Sequence, residues 1–93
     1  RFFERLRELG MYDNSLILVT ADHGESLYEE RLYVGHSYSL SDAELAVPLI
    51  VKLPGSSQHG RRAELVDHTD LLPMVLDLAG LSPIPSSGSS IRL

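Results

Sequence analysis

The protein has 93 residues, of which 43% are hydrophobic and 23% are charged, and 8 Lys and Arg against 13 Asp and Glu give a formal net charge of −5. This composition excludes a disordered chain and allows one small domain at most. The acidic balance leaves no basic face for a phosphate backbone, so no nucleic-acid partner is expected. Cysteine is absent, which excludes disulfides, thiolate metal sites and a cysteine nucleophile within these residues.

The first predicted element is an amphipathic helix at the amino terminus. Its apolar residues recur at near-helical spacing: Phe2, Phe3, Leu6 and Leu9. Gly10 is well placed to end this helix. The chain begins without Met and without a signal-peptide core, so we expect a fragment of a longer protein. The longest apolar run, residues 46–51, is far shorter than the roughly 20 residues of a membrane helix.

Two continuous apolar runs predict buried strands. Residues 16–20 and 47–53 lack the alternation of a half-exposed strand, which is typical of a parallel sheet covered by helices on both faces. Between them, residues 21–46 form a polar stretch with one short helix near 41–45. Such a strand pair needs further strands and covering helices, which again indicates a fragment. The order of elements favours an α/β fold.

The last third of the chain is predicted to contain a loop and one helix. Residues 54–62 form the loop, and residues 64–66 form a short extended segment. Thr69 or Asp70 then caps a helix that reaches about Ala79 and ends at Gly80. The apolar face of this helix is formed by Leu71, Met74, Val75 and Leu78.

Asp22 and His23 are the sharpest candidates for metal ligands. They follow the first predicted strand directly, and ligands in open α/β sheets gather at the carboxyl ends of strands. A carboxylate oxygen and an imidazole nitrogen are common metal ligands, and Gly24 permits the turn that lets both reach one ion. The alternative is an Asp that caps the following turn beside a solvent-exposed His.

His36 is the candidate for acid–base chemistry, because its charge changes near neutral pH and it lies in the long polar stretch. The alternative is a surface His on a loop. His59 is expected to be solvated, and His68 is expected to be structural or to support a neighbouring group. Three tyrosines lie in the same stretch as His36 and are expected to pack it against the fold, the alternative being that they line a pocket: Tyr28, Tyr33 and Tyr38.

Four segments, in this order, resemble the C-terminal half of the sulfatase catalytic domain, which belongs to the alkaline phosphatase-like superfamily. They are NSLILVTADHGESL, GHSYSLSDAELAVPLIVKLPG, LVDHTDLLPMVLDLAGL and the closing PSSGSSI. The resemblance implies a sandwich with a central, mostly parallel sheet covered by helices. Residues 1–93 would then be the C-terminal portion of the catalytic domain.

The resemblance also assigns roles to the candidate residues. It implies that Asp22 and His23 bind a divalent metal and that His36 contacts the sulfate and assists the leaving group. The paired aspartates and the C/S-x-P-x-R motif, whose Cys or Ser is converted to formylglycine, are not in this sequence and are expected upstream. Calcium is the metal that the family implies, whereas the imidazole of His23, at a position that is Asn in many members, suits manganese or zinc.

The implied activity of the parent protein is hydrolysis of a sulfate ester, on a small molecule or a glycan, and the isolated fragment is expected to be inactive. One alternative is a phosphodiesterase, phosphonate hydrolase or phosphoethanolamine transferase of the same superfamily, which an unmodified Thr or Ser nucleophile upstream would reveal. The other is a truncated, non-catalytic product. The sequence specifies neither the substrate nor the compartment nor the oligomeric state.

Overall fold

A computed structural model describes residues 1–28, 33–37 and 39–92. The chain divides into two compact units, Arg1–Gln58 and a second that begins at His59. The described elements, in chain order, are α1 (Phe2–Glu8), β1 (Ile17–Thr20), β2 (Ser26–Leu27), β3 (Val34–Gly35), α2 (Asp42–Leu45), β4 (Leu49–Lys52), a 3-10 turn (His68–Asp70) and α3 (Leu71–Leu78). Among the described residues, no helix has the length and apolar character needed to cross a membrane.

Helix α1 ends at a glycine, as the sequence predicts. Gly10 has a φ of +67°, in the left-handed region that reverses the backbone at little cost for this residue. Its N–H donates to the Arg7 carbonyl, and the Met11 N–H donates to the Leu6 carbonyl, both at 2.9 Å. These two bonds form a Schellman motif, which satisfies carbonyls that the helix end would otherwise leave without partners.

Strands β1 and β4 pair antiparallel, with Thr20 opposite Leu49. Both lie where the apolar runs predict strands, but the parallel arrangement expected for them is wrong. Residues 21–48 leave and re-enter the pair at the same end, whereas parallel neighbours need a connection that crosses to the opposite end. The apolar runs therefore indicated the strands correctly but carried no information on their direction.

The central, mostly parallel sheet covered by helices is not seen in the described residues, which form two antiparallel two-stranded sheets. Nor are the strands buried on both faces within this chain. Val19 in β1 is 41% exposed and Ile50 in β4 is 60% exposed. Each strand thus presents apolar surface to solvent.

Lys52 fixes the turn that leads into β1. Its Nζ donates to the backbone carbonyls of Tyr12, Asp13 and Ser15, and it lies 4.8 Å from the centre of the Tyr12 ring. A lysine that satisfies three carbonyls and contacts an aromatic face is held in one position. The end of β4 is thereby held next to the start of β1, which fixes the position of the residues that follow β1.

The polar stretch between β1 and β4 contains a small hairpin that sequence reasoning missed. Strands β2 and β3 pair antiparallel with Ser26 opposite Gly35. The short helix predicted near 41–45 is confirmed as α2, and it packs against β2. Among the described residues of the first unit, the buried ones are Ser26 and Glu44, both polar.

Helix α3 confirms the predicted second helix, and a 3-10 turn that the sequence did not predict precedes it. Asp67 accepts a hydrogen bond from the Thr69 N–H at 2.7 Å, and Asp70 accepts one from the Asp67 N–H at 3.0 Å. This capping box opens the 3-10 turn, with Asp67 as its cap. Asp70 stands at the N-cap position of α3, as the sequence predicts, but its side chain makes no capping hydrogen bond to that helix. Met74 is completely buried, and Gly80, with a φ of +65°, ends the helix.

The closing segment returns to the head of α3. The Ser89 N–H donates to the Asp70 carboxylate at 2.8 Å. Gly88 lies so close to the backbone of the 3-10 turn that a Cβ at this position would overlap it. The extended segment expected at residues 64–66 forms no strand.

Candidate active site

Asp22 lies directly after β1, where the chain leaves the sheet. Its Oδ1 accepts a hydrogen bond from the His23 backbone N–H at 3.0 Å, and its side chain is 90% exposed. Backbone N–H groups of Asp22 itself and of His23 hold the pKa of this carboxyl below its ordinary value. The result is an ionised carboxylate open to solvent, a form that can take a cation.

The ring of His23 is oriented by the backbone. Its Nδ1 lies 2.8 Å from the Gly24 carbonyl oxygen, so Nδ1–H donates and Nε2 carries the lone pair in the neutral ring. Nε2 lies 3.8 Å from Asp22 Oδ2. The hydrogen bond to Gly24, together with nearby carboxylates, raises the pKa of His23. A backbone carbonyl that fixes the tautomer in this way is a common arrangement for a metal-binding histidine.

The hairpin brings His36 to His23. The two imidazole rings lie 4.0 Å apart between centroids, tilted by 34°. His36 follows β3 directly, and its Nδ1 lies 3.2 Å from Glu25 Oε1, so the carboxylate accepts Nδ1–H and leaves Nε2 available. His36 therefore joins three residues that lie 11 to 14 positions before it in the sequence, and the four form one cluster: Asp22, His23, Glu25 and His36.

Helix α2 supports this cluster through Gly24. The Gly24 N–H donates to the Glu44 carbonyl at 2.8 Å, and a Cβ on Gly24 would overlap the Ala43 carbonyl oxygen. Sequence reasoning gave Gly24 the role of permitting a turn. The structure gives it a different one, since it is close approach to α2 that requires a glycine here.

The other sequence candidates do not join the cluster. His59 and His68 belong to the second unit, His59 in its exposed loop and His68 in the 3-10 turn. Tyr33 donates its hydroxyl to Glu44 at 2.6 Å, which confirms a packing role, whereas Tyr28 is 63% exposed. Tyr38 lies outside the described residues.

The donor set fits part of a divalent metal site. Asp22 supplies carboxylate oxygens and His23 supplies Nε2, and these two ligand types suit manganese or zinc better than calcium. Within residues 1–28, 33–37 and 39–92, no three His, Cys, Asp or Glu side chains are arranged to hold a metal ion. Two donors are too few for a closed site, so further ligands would have to come from elsewhere.

Sequence reasoning missed Glu25 and Glu44. Glu25 follows the D-H-G string directly, and its contact with His36 depends on the pairing of β2 with β3. These two strands show no clear alternation of apolar and polar residues from which the pairing could be predicted. Glu44 sits between Ala43 and Leu45 in a four-residue helix. An acidic residue in such a helix ordinarily faces water, so only the three-dimensional structure reveals its burial.

Comparison with known proteins decides the family. A family model described as Sulfatase matches residues 1–81. The chain belongs to the sulfatase family. Membership carries with it the alkaline phosphatase-like α/β fold, and the resemblance read from the four sequence segments is confirmed at the level of the family. No solved structure matches this sulfatase chain significantly.

Curated relatives of this sulfatase chain come from animals and bacteria. It is 33% identical over 88 residues to arylsulfatase K of Bos taurus, covering 95% of this chain and 16% of that protein. It is 35% identical over 92 residues to the extracellular sulfatase SULF-1 homolog of Drosophila melanogaster (98% and 8%). It is 32% identical over 94 residues to the multifunctional alkaline phosphatase superfamily protein PehA of Trinickia caryophylli (98% and 18%). The chain thus spans less than a fifth of each of these relatives.

Proposed function

We propose that the chain is part of a sulfatase that hydrolyses sulfate esters of small molecules or glycans, with Asp22 and His23 as metal ligands and His36 at the sulfate. The observation that carries the proposal is the pair of imidazoles 4.0 Å apart beside an exposed carboxylate. This cluster lies in the part of the chain that matches the sulfatase family. Titratable side chains from two separate segments of the chain converge here, which is the expectation for a reacting site.

The metal would be held by Asp22 and by Nε2 of His23, together with ligands from outside these 93 residues. Calcium is the ion that the resemblance implies, whereas the imidazole ligand favours manganese or zinc. A bound divalent cation would offset the negative charge of the sulfate group. The nucleophile, expected as formylglycine, would also come from outside this chain.

His36 would supply the proton for the leaving alcohol. Hydrolysis of a sulfate ester separates sulfate from an alcohol oxygen, which must gain a proton as it leaves. Because Nδ1 of His36 is hydrogen-bonded to Glu25, Nε2 is the ring nitrogen that remains for the substrate. A protonated Nε2 donates to the ester oxygen, while Glu25 keeps the ring in one orientation.

The fold of the whole catalytic domain is part of the same proposal. We place residues 1–93 in the C-terminal portion of an alkaline phosphatase-like sandwich whose central sheet is mostly parallel. The exposed apolar faces of β1 and β4, at Val19 and Ile50, support this placement because they suit further strands and covering helices. The antiparallel β1–β4 pair would then be a local exception in a mixed sheet.

The first experiment measures hydrolysis of a chromogenic aryl sulfate by the full-length protein that contains this chain. We expect turnover that a chelator abolishes and that added Mn²⁺ or Ca²⁺ restores. His36→Ala should lower kcat by about 10²- to 10⁴-fold, the usual contribution of an acid–base residue. His59→Ala, which removes an imidazole from an exposed loop, is the matched control and should leave kcat unchanged.

Phosphoryl chemistry is the second candidate, favoured by the similarity to a protein described as a multifunctional alkaline phosphatase superfamily protein. Hydrolysis of an aryl phosphodiester but not of the aryl sulfate would replace the sulfatase proposal with this one. Activity on neither ester, with no divalent metal bound by the wild-type protein, would identify a non-catalytic chain.

A further inference from the structure

Glu44 is a buried carboxylate that accepts hydrogen bonds from described residues on the loop that carries His36. It is 5% exposed, although it sits on a helix of only four residues. Its oxygens accept from the Tyr33 hydroxyl at 2.6 Å, from the Ser37 N–H at 2.8 Å and from the Ser39 hydroxyl at 2.9 Å. Burial of a carboxylate costs free energy unless hydrogen-bond donors surround it, and these three donors offset that cost.

These donors lie on both sides of His36 in the sequence. Ser37, the next residue, has a φ of +72°, in the left-handed region that residues other than glycine rarely adopt. The hydrogen bond from its N–H to Glu44 holds that conformation. Tyr33, three residues before His36, is held by the same carboxylate. Glu44 thus fixes the backbone that aims the His36 ring.

The backbone of Glu44 reaches the other half of the cluster. Its carbonyl accepts the Gly24 N–H at 2.8 Å, directly after His23. The side chain of one residue therefore holds the His36 loop while its main chain holds the Asp22–His23 turn. The separation of the two imidazoles depends on both attachments.

We infer that Glu44 is a positioning residue of the active site, which sets the placement of His36 against His23 without touching the substrate. The inference rests on the proposed function, in which His36 acts on the sulfate ester. It gives this buried carboxylate a role beyond filling space, since its acceptors hold the backbone on both sides of His36.

The test compares Glu44→Gln with Asp42→Asn in the full-length protein. Both remove one negative charge from α2, but Asp42 is exposed. Glutamine keeps the shape of Glu44, but it removes the charge and turns the oxygen that accepts from the Tyr33 and Ser39 hydroxyls into a donor. The bonds that remain lose the extra strength that an ionised acceptor gives them. We expect kcat on an aryl sulfate to fall about 10- to 100-fold in Glu44→Gln and to stay unchanged in Asp42→Asn, since small misplacements of a catalytic group carry losses of this size.

Two further readouts separate positioning from general support of the fold. Hydrogen exchange should accelerate in the peptide that contains Ser37 and Ser39 and remain unchanged in α1. In a His36→Ala background, Glu44→Gln should cause almost no further loss of kcat, because its effect passes through His36. An equal loss in both backgrounds, or unchanged exchange at Ser37 and Ser39, would overturn the inference.

The design also separates this inference from the proposed function. If the wild-type protein hydrolyses no aryl sulfate, the proposed function fails, and the inference about catalysis fails with it. The exchange measurement still decides whether Glu44 holds the loop. If the wild type is active and Glu44→Gln is equally active, only the inference fails.

Discussion

At the scale of single residues, Gly24 determines the geometry of the Asp22–His23 turn. Its Cα faces the Ala43 carbonyl oxygen so closely that no side chain fits, and its N–H is bonded to Glu44. Any larger residue must push the turn away from α2. The consequence would reach His23, whose ring is oriented by the Gly24 carbonyl.

Gly24→Ala should therefore destabilise the protein and lower its activity together. Overpacking of this kind costs about 1–3 kcal/mol, and the displaced turn should weaken turnover of an aryl sulfate. Gly10→Ala is the control, because a Cβ there meets open space and the cost comes only from its φ of +67°. Thermal unfolding and kcat of both variants check the prediction. A Gly24→Ala protein as active as Gly10→Ala would contradict it.

Glu44 and Asp67 show how differently two carboxylates can arrive at a low pKa. The Tyr33 hydroxyl, with further donors from Ser39 and Ser37, lowers the pKa of the buried Glu44 to about 2. The backbone and side chain of Thr69 lower the pKa of Asp67, which is an exposed helix cap. A cap of that kind can be anticipated from the sequence, whereas a carboxylate buried on a four-residue helix cannot.

At the scale of elements, α2 and the β2–β3 hairpin form the frame of the candidate site. The hydrogen bonds that join them through the Glu44 carboxylate should depend on pH. The pKa of Glu44 is lower in the folded protein, about 2 against an ordinary 4.5. Its stabilising contribution is therefore fully present above about pH 4.5 and is lost as the pH falls toward 2. Hydrogen exchange at Ser37 and Ser39, corrected for intrinsic rates, should accelerate between pH 5 and 3.

Glu44→Gln provides the control for this pH dependence. The glutamine side chain does not titrate, so the corrected exchange at Ser37 and Ser39 should be fast at both pH values in this variant. His23, whose raised pKa owes part of its shift to Glu44, is charged throughout this range and does not account for the change. A wild-type protein with the same corrected exchange at pH 5 and pH 3 would refute the prediction.

Elements with strong local signals could be predicted from the sequence, and those held by distant contacts could not. Helices α1 and α3 end at Gly10 and Gly80, because left-handed glycines mark helix ends locally. The hairpin of β2 and β3 has two residues in each strand, too few to show a period. The direction of β1 against β4 depends on the whole connection between them, which no local pattern encodes.

The same distinction holds within the candidate site. Asp22 and His23 are neighbours in the sequence, so their proximity after β1 could be expected. The contact of His36 with His23 was not predicted, because the hairpin that creates it was not predicted, and the family resemblance implied only that His36 contacts the sulfate. The roles of Glu25 and Glu44 depend on that hairpin and on α2, and they emerged only from the structure.

At the scale of the whole molecule, the proposed function needs residues from outside this chain. It spans 16% of arylsulfatase K of Bos taurus and carries two donors of the proposed metal site. Its large exposed apolar side chains include Val19, Leu27, Val34 and Ile50, all on strands. The net charge of −5 does not conflict with an anionic substrate, because a bound cation would dominate the local field.

The central claim is that the turn after β1 belongs to a sulfatase metal centre, and a calorimetric titration of Mn²⁺ or Ca²⁺ tests it most directly. The full-length protein, stripped of metal, should bind one divalent ion in competition with a weak chelator. Asp22→Asn should bind it at least 10-fold more weakly, since even residues that only support a metal ligand contribute 10- to 100-fold. Asp42→Asn should match the wild type. Equal affinity in Asp22→Asn and wild type would contradict the account.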